Sequence, residues 1–188
     1  MVKNPNRKKQ ARILRGFRKV HRTMGATLFV FFFVISVSGF LLGWKKNSFG
    51  VLQSATQKGS STSFTQWLPL DSLKMKALFY VRKELENEQS LEIKRIDVNE
   101  AKGIVKFIFT EYYGVQLDGS TGNLLLLERR YSDLIEELHD GSVLDTYFKT
   151  TGNPIKLIYT TLMSIALLLF TITGFWLWLG PKRMRKRQ

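Results

Sequence analysis

Two stretches of the chain carry no formal charge and are apolar almost throughout: residues 23–44 (TMGATLFVFFFVISVSGFLLGW) and residues 157–180 (LIYTTLMSIALLLFTITGFWLWLG). At about 1.5 Å of rise per residue, either is long enough as a helix to cross a hydrocarbon core about 30 Å thick. Both are therefore expected to span a membrane. A cleaved secretory signal competes for the first run, because Ser36-Val37-Ser38-Gly39 places small residues after an apolar stretch. Apolar sequence resumes at Phe40-Leu41-Leu42, so an uncleaved anchor fits better.

Ahead of the first run the pattern is amphipathic. Ile13, Leu14, Phe17 and Val20 recur at helical spacing, with Arg12, Arg15, Arg18, Lys19 and Arg22 between them. Residues 1–22 are expected to form a cytoplasmic helix lying along an anionic leaflet.

Between the runs, residues 45–156 change pattern twice. Residues 47–66 are rich in Ser, Thr, Gly and Gln and lack sustained periodicity, which predicts a tether leaving the membrane, with order beginning near Trp67. Leu73, Ala77, Tyr80, Val81 and Leu85 then share one helical face, predicting a helix over 71–86 capped by Asp71. Strand patterning follows over 91–98, 103–111, 112–117 and 124–128. A turn at residues 100–103 would pair the first two strands, and the Gly-rich 118–123 would close a hairpin between the last two. That second turn joins strands and opens no helix, so it is not read as a phosphate cradle. The fold class is an α+β membrane protein: two transmembrane helices flanking one extracytoplasmic domain of helix on antiparallel sheet.

Charge adds the orientation. The formal net charge of +14 resides in the tails: residues 1–22 carry nine Lys or Arg and residues 181–188 carry five, with no acid in either. Positive flanks stay on the cytoplasmic side, which places both termini inside, 181–188 as a basic tail, and 45–156 outside. Trp44 and Tyr159 then mark the outer interface, and Trp176 and Trp178 the inner one. The membrane accounts for the basic tails, so no nucleic-acid partner is inferred. The absence of cysteine excludes a disulfide framework, a thiol nucleophile and Cys-ligated metal.

Chemistry rests on two histidines, His21 at the inner mouth of the first span and His139 ahead of the second. No hydrolase motif accompanies either. Glu136 and His139 are spaced like a Glu-x-x-His ligand pair, but the spans supply no matching ligands, and no metal site is assigned. The plain alternative is a headgroup-level polar residue for His21 and a dipole-complementing helix C-terminal residue for His139 before Asp140-Gly141.

The chain resembles the PepSY-associated transmembrane family. The likeness is carried by Lys19-Val20-His21-Arg22, by Tyr113-Gly114-Val115-Gln116-Leu117-Asp118-Gly119-Ser120-Thr121-Gly122, by Leu138-His139-Asp140-Gly141, and by Ile172-Thr173-Gly174-Phe175-Trp176-Leu177-Trp178-Leu179. It implies a PepSY-like extracytoplasmic domain and a place in the bacterial cytoplasmic (inner) membrane. The first functional reading is a non-enzymatic envelope protein that binds or restrains a partner. The alternative, from longer relatives that reduce siderophore iron, is a haem-binding electron carrier, with His21 and His139 as ligands of haem b. Two histidines about 30 Å apart across the membrane cannot clamp one haem. A homodimer would pair each with its twin, and Gly39/Gly43 and Thr160/Ser164 are small-residue pairs suited to close helix packing.

Overall fold

The structure is a computed structural model that describes residues 5–85 and 91–185. The chain forms two compact units, one of Met1–Phe40 with Glu137–Gln188 and the other of Leu41–Glu136. The elements run α1 (Pro5–Trp44), α2 (Leu70–Leu85), β1 (Ile93–Asn99), β2 (Ile104–Phe109), β3 (Tyr113–Asp118), β4 (Leu124–Arg129), α3 (Tyr131–Asp140), α4 (Ser142–Phe148) and α5 (Pro154–Arg185).

The first unit is built on α1 and α5, which have 40 and 32 residues and hence rise about 60 and 48 Å. Each contains one of the apolar runs and extends beyond it. The residues withdrawn from solvent recur at a seven-residue interval: Leu14, His21, Leu28 and Ile35 on α1, and Tyr159, Ala166, Thr173 and Gly180 on α5. That repeat is the seam of two helices packed side by side.

One expectation is corrected here. The basic segment does not form a separate interfacial helix, because α1 is continuous from Pro5. Its apolar stripe is divided: Leu14 is buried beside Gly180 and Phe17 stacks on Trp176 at 6.1 Å, whereas Ile13 and Val20 remain exposed. Packing against α5 supplies a reason to extend the helix that the amphipathic pattern alone did not distinguish from packing against lipid.

The second unit is an antiparallel meander in the order β1-β2-β3-β4. Val105, Phe107 and Phe109 of β2 alternate with Ile104, Lys106 and Ile108, so one face is apolar and the other mixed. The apolar face packs with Val115 and Leu117 against Leu73, Ala77 and Val81, one turn apart on α2. The helix begins at Leu70, so Asp71 lies in its first turn, complementing the dipole from inside, and Glu86 falls outside the described residues.

The opposite face overturns the expectation of a free tether. Backbone N–H groups of Ser54, Gln57 and Ser60 donate to the side chains of Glu128 (3.0 Å), Gln116 (3.0 Å) and Asp118 (2.8 Å). Lys106 Nζ donates to Thr56 Oγ1 at 2.7 Å. Every third amide is thus held by the sheet, so the segment needs no apolar periodicity to be ordered. A Cβ at Gly59 would lie 2.0 Å from the carbonyl oxygen of Gly103, which explains the glycine. Burial alone would raise the Asp118 carboxyl, but hydrogen bonds from Ser60, Ser120 and Thr121 outweigh it and hold the group well below the usual carboxylate range.

Candidate functional site

Both histidines lie in the helical unit, and each is fastened in the same way. His21, half-buried on the seam of α1, places Nδ1 2.9 Å from Thr173 Oγ1. His139, in the last turn of α3, places Nδ1 2.9 Å from Ser38 Oγ. Both hydroxyl residues are buried, and both donate back to their own helix: Thr173 to the carbonyl of Leu169 at 2.8 Å, Ser38 to that of Val34 at 2.6 Å.

A glycine follows each hydroxyl. A Cβ on Gly174 would come within 3.3 Å of His21 Cε1, and one on Gly39 within 3.3 Å of His139 Cε1. Such contacts are tighter than side chains normally accept, so the glycines give the imidazoles their room. Thr171-Ile172-Thr173-Gly174-Phe175 and Ser36-Val37-Ser38-Gly39-Phe40 are the same pattern, hydroxyl, β-branched, hydroxyl, glycine, phenylalanine, written once in each span. Sequence reasoning missed both hydroxyls. The repeat itself was the available signal.

The surroundings of the two imidazoles differ. His21 stacks on Phe170 at 3.9 Å between centroids, and Phe170 in turn meets Phe32 at 5.6 Å. His139 borders a cleft of about 240 Å³ with Phe32, Ile35, Tyr159, Met163 and Leu167 among its lining. Thr160 and Ser164 line this cleft too, and Gly39 packs on His139, so three of the four small residues noted in the spans serve one chain's own interior. Neighbouring groups fix the segment that follows His139. Asp140 Oδ2 is 2.5 Å from Lys156 Nζ, and Asp145 accepts from the backbone N–H of Ile155 (3.1 Å) and Lys156 (2.7 Å), capping α5. Burial raises the Asp140 carboxyl, but hydrogen bonds from Lys156 and Ser142 outweigh it and hold the group low.

The structure does not bring the two histidines together. His139 meets α1 at Ser38, seventeen residues beyond His21, which is about 25 Å along the helix. Glu136 shares α3 with His139 but lies 3.9 Å from Lys45, and no group of three or more His, Cys, Asp or Glu converges among the described residues.

The residues fit a haem ligand at each end on the chemistry of the donor and the space made for it. Each imidazole is anchored by one nitrogen, half-open, and seated where a glycine avoids crowding it.

Two apolar helices long enough to cross a membrane, flanking an antiparallel sheet with its own helix, define an α+β membrane protein. The chain belongs to the family described as the PepSY-associated TM region, whose match covers residues 2–180. No curated protein and no solved structure matches it.

Proposed function

We propose that this chain is a haem-binding electron carrier of the bacterial cytoplasmic membrane, working as a homodimer in which His21 faces its twin on the inner side and His139 its twin on the outer side. The observation that carries the reading is the repeated fastening: one imidazole at each end, held through Nδ1 by a buried hydroxyl beside a glycine. A histidine kept only for helix packing has no need of the same device twice. Bound haem would supply a one-electron ferric/ferrous couple at each face. The protein's part is to offer the two imidazoles, exclude water from them with Phe170 and the apolar cleft, and keep the faces apart. One electron from a reduced donor on the cytoplasmic side would convert one ferric ion, as in a siderophore complex, to ferrous iron outside.

Both termini are cytoplasmic and residues 45–156 extracytoplasmic in this reading, supported by the fourteen basic residues of the tails.

A second reading is an accessory protein whose domain engages an envelope partner. It is favoured by Met75 and Phe79, four apart on the outer side of α2 and 66% and 62% exposed.

One experiment separates them. Protein made with ample haem should show a Soret band, and His21→Ala and His139→Ala should each remove one haem's share, with the double variant colourless yet inserted. Colourless wild-type protein would favour the accessory reading, and full absorbance in the double variant would exclude these ligands.

A further inference from the structure

The hydrogen-bond partners of the two hydroxyls decide something about the histidines that their positions do not. A hydroxyl has one proton to donate and lone pairs to accept with. Ser38 Oγ lies 2.6 Å from the Val34 carbonyl oxygen and Thr173 Oγ1 2.8 Å from that of Leu169. A carbonyl oxygen carries no proton, so two oxygens at these separations require the hydroxyl proton to lie between them. Toward the imidazole each hydroxyl can then only accept. The proton of the 2.9 Å contact belongs to Nδ1 in both cases.

We infer that Ser38 and Thr173 are positioning residues that hold His139 and His21 as the Nδ1–H tautomers, leaving Nε2 unprotonated as the nitrogen that binds iron. The inference rests on the haem reading for its ligand but on the hydrogen bonds alone for its geometry. Nε2 of neither histidine has a hydrogen-bond partner among the described residues, which is the condition of a donor kept available. A ligating imidazole whose second nitrogen is tied to an acceptor has its orientation fixed and its basicity raised. A neutral hydroxyl that has already given its proton to a carbonyl is a better acceptor than a free one, because chained hydrogen bonds polarise one another. Phe170, stacked on the His21 ring, restrains that ring's rotation.

The test uses full-length haem-free protein in lipid nanodiscs at alkaline pH with both histidines labelled with ¹⁵N, the single variants His21→Ala and His139→Ala assigning the signals. Wild-type protein should show Nδ1 protonated and Nε2 bare at both residues. Ser38→Ala should convert His139 to a mixture containing the Nε2–H form and leave His21 unchanged. Thr173→Val, equal in shape but lacking the hydroxyl, should do the reverse, and Thr173→Ser should restore the wild-type pattern. Nε2–H in wild-type protein, or tautomers unmoved by Ser38→Ala and Thr173→Val, would overturn the proposal. In haem-loaded protein the same two variants should shift the g-values and potential of one haem each, and identical values would remove their role toward iron. Wild-type protein that takes up no haem refutes the haem reading and with it the assignment of iron to Nε2, while the nitrogen signals still decide the tautomer.

Discussion

The sheet domain and the helix pair both bury polar groups, and they put them to opposite uses. In the domain, Gln116, Asp118 and Glu128 occupy sheet positions where apolar residues would serve packing, and their oxygens receive backbone N–H groups of residues 54–60. The bonding there is nearly closed: among the described residues the Gln53 side-chain oxygen alone is buried without a partner. In the helix pair, Ser38 and Thr173 each fasten an imidazole by one nitrogen and leave the other without a hydrogen bond among the described residues. A closed network stabilises, whereas an open one presents a donor. Substitutions should therefore cost stability in the domain and change chemistry in the helix pair.

The largest effect should come from Gly59→Ala. Its Cβ would lie 2.0 Å from a backbone oxygen that cannot swing aside, and relief requires residues 54–61 to leave the sheet. A loss of about 3 kcal/mol is expected, from overpacking together with the hydrogen bonds given up. Hydrogen exchange at the Gln57 and Ser60 amides would read it as lost protection. Unchanged protection would mean that these residues are an ordinary loop after all.

Asp118→Ala should follow at about 2–3 kcal/mol, since hydrogen bonds to a charged acceptor are the stronger kind. The same group gives the domain a pH dependence with a definite sign. Its carboxyl is held below the ordinary carboxylate value of about 3.9, so the folded state binds the proton less tightly than the unfolded one. The stabilisation is present above that value and is lost as pH falls below it. Protection of the Ser60 amide should decline across that range in wild-type protein, and the Asp118→Ala variant should lack that part of the decline.

What the sequence disclosed follows the same division. Uncharged apolar runs marked both spans, and apolar patterning marked α2 and the strands, because withdrawal from water writes itself into composition and spacing: Leu73, Ala77 and Val81 are one turn apart, and β2 alternates residue by residue. Residues 54–60 escaped because their order comes from backbone amides, which every residue possesses. Their trace was on the other side of the contact, in Gln116 and Asp118 alternating with Val115 and Leu117 on β3, in Lys106 on β2 and in Glu128 on β4. His21 and His139 were visible as rare residue types beside the spans. Ser38 and Thr173 were not, because a hydroxyl in a membrane helix ordinarily bonds its own i−4 carbonyl, as both do here, and only the fold shows what approaches from the other side.

The smallest stability effect should be that of Ser38→Ala. Hydrogen bonds between membrane helices average about 0.6 kcal/mol, since the separated helices find other partners for the same groups. Removing the hydroxyl deletes one acceptor for His139 Nδ1 while the Ser38 backbone stays within α1. The imidazole can then take the other tautomer or turn toward Asp140 and the cleft it already borders, so little of the bond's worth is forfeited. Unfolding of the helix pair in bicelles should change by less than about 1 kcal/mol, even where the tautomer of His139 changes. A loss well above that would make the hydroxyl a clamp between helices and erase the contrast with the domain. A small loss joined to a changed tautomer would mean that Ser38 is present for the histidine rather than for the fold.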